Sequence, residues 1–553
     1  MKRIIYIIFA VTAACSCSLM EKPDSYYEKS DFFTNENKAE MGILGIYNVL
    51  PFLYGDCEMA FATSDDICYA QGITADNTRR DISHYSLTTS NRYVKTVWQY
   101  TYDGINRANY MIDGIENMKG YARNDKLKKL VAEAKFLRAF LSLNLIRYWG
   151  DVPYKASYTG DYQSAYGPRI DRELIYRQIM EDLDDAKILD WADASSSPER
   201  ATQGAVRSLK MRALLQRAGY SLQMDGKMTR PSDNARKEYF TDVTKEWEAF
   251  LANGYHGFFD GGYEQLFRSF SEGKLNSKES IFEIAFYSED GRTGAKGYWG
   301  SYMGPLVAMP VVSATETDKV MGRANALFRA IPEWRTQFFE DTDSRRDVAI
   351  CTYQYNWSDG KHVKSENFPS RFKQYFPGKW RREWMPLGYK DPNVTDVNFC
   401  IIRYADVVLM AAEAYNEIGE TGKAWELLNS VRARAGATPV DAANYSKLVK
   451  APKVYDLPFI DDSDEAGRFR TALYWERGFE LAFEGVRRFD LLRWGILPDA
   501  LALTAEKTRV NASDQDAFVA GFNFTKGKHE LFPIPLEEIQ ANRYLNNTNN
   551  PKY

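Results

Sequence analysis

The chain has 553 residues, 44% hydrophobic and 26% charged, the make-up of an ordinary globular protein with enough chain for one large core or several domains. Its formal charge is −4, and removal of residues 1–16, which carry Lys2 and Arg3 and no acid, takes it to −6. A mildly acidic protein of this size is poorly suited to general nucleic-acid binding, so no nucleic-acid partner is expected.

Four histidines, His84, His256, His362 and His529, are scattered singly, without metal-ligand spacing. There is no P-loop and no G-x-S-x-G elbow, so neither a metal nor a cofactor is expected. Aromatic residues reach 14%, with 36 Tyr and 12 Trp, more than a core usually needs.

The N-terminus reads as an export signal: basic Lys2-Arg3, an apolar run from Ile4 to Ala14, then Cys15-Ser16-Cys17. The run is too short to span a bilayer as a stable helix, and no later stretch is long and apolar enough to do so. A cysteine directly after small residues resembles a lipobox, in which the thiol is acylated and becomes the mature N-terminus. Cys17 and Cys15 are the two candidates. Of the other cysteines, Cys57 and Cys68 fit either a bridge in an oxidising compartment or two buried thiols, and Cys351 and Cys400 show no pattern.

Beyond a short polar tether, Asp31-Phe-Phe-Thr-Asn-Glu36 opens a helix carrying Ala39, Ile43, Ile46, Tyr47 and Leu50. Residues 63–92 are polar and lack helical periodicity, which predicts a long functional loop. Helix returns over Trp98–Met118 and again from Glu133 to Trp149. There Phe136, Phe140, Leu143 and Arg147 line one face and Leu137, Leu141 and Leu145 another. A helix apolar on two faces is buried between neighbours, and Gly150 and Pro153 stop it. Helices are predicted at 171–190, 201–220 and 234–253, then at 403–419 and 423–435. Paired helices of this length, with Ala at the close contacts, suggest tetratricopeptide-like units, although the strict consensus is absent.

Residues 255–400 are rich in Gly, Pro and Trp and weakly periodic. Gly291 to Tyr302 reads as a flexible loop presenting aromatic rings. Arg371 to Trp384 interleaves basic and aromatic residues, a composition that stacks on single strands in other settings but is out of place in an exported acidic protein. Toward the C-terminus, Glu476, Glu480 and Glu484 stack at four-residue spacing, with Arg487 and Arg488 placed to pair with the last of them. Two carboxylates at such spacing also fit a retaining glycosidase. Nearby arginines hold carboxylates ionised, whereas a general acid needs a raised pKa, so the expected role is an ion-pair network locking helices together.

Several of these segments resemble the SusD/RagB family, outer-membrane nutrient-binding lipoproteins of Bacteroidetes. The matching segments are Phe32-Phe33 with its Asn-capped helix ending Gly45-Ile46-Tyr47, Ile105-Asn106-Arg-Ala-Asn109, and Tyr148-Trp-Gly-Asp-Val-Pro-Tyr154. They continue with the Arg403-Tyr-Ala-Asp406 helix, the Glu476–Trp494 stretch and the ending Asn550-Pro-Lys-Tyr553. Lys552 stands where the family commonly has Gly, and Asn542-Arg543 replaces Asn-Pro. The family's usual Ser-Cys favours Cys17 over Cys15 as the lipidated residue.

The resemblance implies a mainly α fold, a tetratricopeptide-like helix-pair scaffold covered by a loop-rich subregion. It implies a signal peptide over 1–16 and one SusD-like domain over 17–553. Within that domain the helical scaffold takes about 31–254 and 401–500, the loop-rich binding part about 255–400, and the tail 501–553. The implied role is a lipid-anchored, surface-exposed receptor that binds oligosaccharide and hands it to a SusC-like TonB-dependent transporter of the outer membrane. The alternatives are a surface glycoside hydrolase and a peptide-binding uptake lipoprotein of the RagB type. The binding site is expected where the 63–92 loop meets the aromatic loop near 298–302. Asp66, Asn77, Arg80 and Tyr85 are the candidates for hydroxyl contacts, and Tyr298, Trp299 and Trp357 for stacking platforms.

Overall fold

The computed structural model describes residues 32–55, 65–72, 74–287, 296–366, 375–450, 457–508 and 518–553. Cys15, Cys17 and Cys57 lie outside the described residues, whereas Cys68 is a buried free thiol. The longer elements in chain order are α1 (Glu36–Tyr47), β1 (Cys68–Ala70), α2 (Arg92–Glu116), α3 (Asp125–Trp149), α4 (Arg172–Asp185), α5 (Gln203–Ala218), α6 (Asp233–Asn253) and α7 (Gly262–Ser271). They continue with β2 (Ser280–Ile284), β3 (Phe328–Ala330), β4 (Tyr353–Ser358), β5 (Lys361–Glu366), β6 (Phe399–Arg403), α8 (Tyr404–Glu417), α9 (Thr421–Arg434), α10 (Glu465–Leu481), α11 (Arg487–Arg493), α12 (Leu497–Thr508) and α13 (Leu536–Ala541).

The fold is mainly α. Helices pack as sequential pairs, α2 on α3, α5 on α6 and α8 on α9, with α8 also against α6 and α10. This is the tetratricopeptide-like scaffold expected from the paired periodicities. Capping residues set the starts: Asn91, Asn124, Asp171 and Ser232 each accept a backbone N–H of the first turn of α2, α3, α4 and α6. Helix α3 is buried on both faces named in the sequence, between α1, α2 and α4. Three antiparallel strand pairs, β1–β3, β2–β6 and β4–β5, serve the less regular half. The main core cluster draws residues from Ala39 to Leu545.

Two local expectations fail. The 63–92 stretch is not all loop, because β1 pairs with β3 and Arg79–Ser83 forms a short helical turn. Nor is Glu476–Trp494 one helix: α10 ends at Leu481, and left-handed backbone at Phe483 (φ 66°) and Gly485 (φ 75°) turns the chain before α11. Glu484 therefore leaves the stack.

The carboxylates remain in a buried ionic cluster, but with other partners than Arg487 and Arg488. Arg403 donates to Glu480 (2.5 Å), Glu484 (2.6 Å) and Glu279 (3.1 Å). Arg345 reaches Glu480 (3.0 Å) and Glu476, Arg432 reaches Glu476 (2.8 Å), and Lys379 reaches Glu484. Glu476 and Glu480 are 0% exposed, so no substrate reaches them. Burial alone would raise the Glu480 carboxyl, but Arg434, Arg403, Arg345 and Lys379 outweigh it and hold that group well below the usual carboxylate range. The cluster locks α9 and α10 to β6 and is architectural. Of the basic–aromatic stretch, residues 371–374 lie outside the described residues, and the rest is core as well, with Tyr375, Phe376, Lys379, Trp380, Arg381 and Arg382 all buried.

Candidate functional site

The short turn Arg79–Ser83 is held in place by its own loop. The Asp81 carboxylate accepts the backbone N–H groups of Asp76 (3.1 Å) and Asn77 (2.8 Å). Arg79 is thereby aimed at two tyrosines. Its guanidinium carbon lies 5.0 Å from the Tyr93 ring centroid and 4.9 Å from that of Tyr302, and Nη2 donates to the Tyr93 hydroxyl at 2.6 Å.

Tyr302 in turn stacks on Tyr298, with centroids 4.6 Å apart and planes at 7°. A single hydrogen-bonded turn produces this pair, since the N–H groups of Ser301 and Tyr302 both donate to the Tyr298 carbonyl. Gly300 sits inside that turn at φ 80°, where a Cβ would run into the Met385 side chain. Arg92, exposed at the start of α2, lies 5.2 Å over Tyr93. Tyr93, Tyr298 and Tyr302 are each half-buried, so the patch offers ring surface beside guanidinium donors. Such a surface holds a ligand that has apolar C–H faces and hydroxyl acceptors.

The 63–92 segment and the 298–302 turn thus meet, through Arg79 and Tyr302, residues absent from the candidates the sequence supplied. The four-residue spacing of Tyr298 and Tyr302 is the signal that could have found the second ring. Of the predicted residues, three are corrected. Asp66 is 1% exposed and paired with Arg487, and Tyr85 is 2% exposed between Phe524 and His529. Trp299 is 1% exposed, flat against Phe399 with ring centroids 3.9 Å apart, and its indole donates to the Tyr54 carbonyl. All three are core.

Arg80 is half-buried and braces the loop, donating to the carbonyls of Gln71 (2.8 Å) and Thr74 (2.9 Å). Asn77 is exposed at φ 50°. Trp357 is half-buried on the β4–β5 hairpin, edge-on to His362, and is not part of the tyrosine pair. Among the described residues no group of three or more His, Cys, Asp or Glu side chains could hold a metal ion.

A cavity of about 720 Å³ lies elsewhere, between α6, α8, α10 and the α11–α12 turn. Many of its charged side chains are spent on one another: Arg493 on Glu413 (2.7 Å), and Arg470 and Arg236 on Glu417 (2.6 and 3.5 Å). Volume alone therefore does not select it.

Residues 278–553 match the profile of the SusD family, and residues 19–215 match one described as starch-binding associating with outer membrane. The chain belongs to the SusD family. Among its relatives is SusD-like protein P25 of Formosa agariphila, 25% identical over 98% of this chain and 97% of that protein. The crystal structure of a SusD homolog from Bacteroides thetaiotaomicron superposes with a TM-score of 0.77 at 26% identity, covering 95% of this chain and 98% of that one. The surface glycan-binding protein A of the same organism, in complex with laminarihexaose, has a TM-score of 0.64 at 17% identity over 94% and 99% of the chains. That second likeness is one of fold.

Proposed function

We propose that this SusD-family chain is a glycan receptor of the outer-membrane surface. It is cut after residue 16, anchored through acylated Cys17, and folded over 17–553 as one unit. It captures oligosaccharide on the Arg79–Tyr93–Tyr298–Tyr302 patch without turning it over and passes it to a SusC-like TonB-dependent transporter. The patch carries the reading: three half-buried rings and a guanidinium converge where two chain segments meet. Sugars need aromatic faces for their C–H surfaces and planar polar groups for their hydroxyls, and both are present. Asn77 and Arg80 stand on the same segment as Arg79 and are further candidate contacts, as is Trp357 on the β4–β5 hairpin. The names of the relatives, among them a laminarin-binding SusD-like protein, support the glycan class.

The test is calorimetry of the purified chain against a glycan panel that includes laminarin and starch, with short peptides as the contrast. Tyr298→Ala and Tyr302→Ala each weaken binding by about 1–3 kcal/mol, the order of one hot-spot ring. Full affinity in both folded variants places the site elsewhere. Peptide binding in place of glycan binding selects the peptide receptor, and release of reducing ends from a bound glycan selects the hydrolase. Recovery of a barrel protein with the chain from detergent-solubilised membranes tests the transporter, and its absence counts against the partnership.

A further inference from the structure

A second cleft opens on another face of α2. Lys95, Trp98, Gln99 and Tyr102 follow one another at helical i, i+3, i+4 and i+7 spacing and form one wall. The opposite wall is Pro535 with Glu537, Glu538 and Ala541 of α13, and Pro153, Ala165 and Tyr166 close the ends. The volume is about 470 Å³, within the range of sites for small ligands, about 300–1,000 Å³.

The walls are fixed. The Trp149 indole donates to the Pro533 carbonyl (2.9 Å), Leu536 N–H to Thr89 (3.0 Å), and the Asn542 amide to Gly167 (3.0 Å). The Tyr102 hydroxyl donates to the Pro153 carbonyl at 2.5 Å. The floor is aromatic: Trp98 packs edge-on against Trp149 (5.1 Å) and tilts over Tyr102 (4.8 Å).

The polar groups are of both signs. Lys95 and Glu537 pair at 2.8 Å across the mouth, and Gln99 carries an exposed amide. Glu538 is half-buried, its carboxyl raised by burial, and it accepts from the Asn542 amide at 2.9 Å and from the Trp98 indole. Among the described residues no cation forms an ion pair with it, so its remaining acceptor capacity suits neutral donors. An anionic ligand would meet two glutamates, and Lys95, already paired with Glu537, leaves no free cation among the described lining residues to receive it. A neutral ring with an apolar face and hydroxyls fits both the aromatic and proline walls and the amide and carboxylate tips.

We propose that this cleft is a second saccharide site, taking a short neutral oligosaccharide independently of the tyrosine patch. It adds a site to the receptor reading and does not rest on that patch being the principal one.

Saturation-transfer NMR on the purified full chain tests it, with laminaritriose, maltotriose, cellotriose, xylotriose and mannotriose as probes at millimolar concentration. The expected result is transfer to at least one trisaccharide that persists when Tyr298 and Tyr302 are both replaced by alanine. Gln99→Ala and Tyr166→Ala then weaken that transfer, each raising the Kd about tenfold. Thermal unfolding confirms folding, and if Tyr166→Ala fails to fold, Gln99→Ala and Lys95→Ala decide. No transfer in the double-alanine background, or transfer indifferent to the cleft variants, overturns the cleft. If the wild type still binds polymeric glycan at that point, the receptor reading stands without it. Transfer that survives the double change while polymer binding is equally unaffected by it overturns the patch and not the cleft.

Discussion

The carboxylate of Asp66 and the guanidinium of Arg487 close a two-pronged ion pair, Nε to Oδ1 at 2.8 Å and Nη2 to Oδ2 at 2.9 Å, across 421 residues of chain. Tyr474 joins them, its hydroxyl donating to Asp66 at 2.5 Å and its ring lying 4.1 Å beneath the guanidinium. The pair is 1% and 2% exposed. Asp66→Ala strands a buried arginine and is expected to cost about 3–5 kcal/mol. Urea denaturation reads the loss, while glycan affinity of the folded fraction stays at the wild-type value. Lost affinity at unchanged stability would return Asp66 to the binding site.

Arg79 is expected to matter for ligand and little for the core. Arg79→Ala removes a cation packed on Tyr93 and Tyr302 and is expected to weaken glycan binding by about 1–2 kcal/mol. Calorimetry measures it. Unaltered binding would mean that the guanidinium contributes nothing to capture.

Glu283 on β2 gives a pH signature. It is 2% exposed, and burial pushes its carboxyl up to about 7, with the Asn398 amide as a neutral donor at 3.0 Å. Between the ordinary carboxylate value and 7 the folded chain keeps a proton that the unfolded chain has lost, so stability falls as pH rises through that window. Glu283→Gln removes the titration. The variant is expected to match the wild type near pH 5 and to exceed it at pH 8 by at most about 3 kcal/mol. Parallel stability curves for the two proteins across that range would refute the assignment.

Gly478 lies in the last turn of α10, where the Trp334 indole presses on it. A Cβ there would stand 2.3 Å from a ring carbon. Gly478→Ala is expected to destabilise by about 1–3 kcal/mol through overpacking, against the usual gain from alanine in a helix. A raised melting temperature would show that Trp334 yields freely.

Cys17→Ala is expected to release the protein from membranes and abolish fatty-acid labelling, whereas Cys15→Ala leaves both intact. The reverse pattern would move the anchor to Cys15.

The helix pairs were legible because apolar residues recur at helical spacing along Trp98–Met118 and Glu133–Trp149, and burial follows periodicity directly. The candidate site was legible in place but not in membership. Tyr298 and Trp299 are neighbours on one turn, yet one ring faces out and the other lies flat on Phe399, and no local pattern in a loop distinguishes them. Asp66 and Tyr85 looked like loop residues because their partners, Arg487 and His529, are hundreds of residues away. The turn at Phe483 was hidden for the opposite reason. Glu476 to Glu484 keeps a helical rhythm past the point where the chain turns at Phe483, and Gly485 was the one local sign of that turn.

Asn550 is a keystone. The Asn550 amide bridges the carbonyls of Trp149 and Phe532, and Phe532 N–H reaches back to Tyr148, so the end of α3 is held by a segment about 400 residues further along the sequence. Losing that one amide would leave both carbonyls without their donor, so a single side chain far along the chain ties the end of α3 to the segment that covers it.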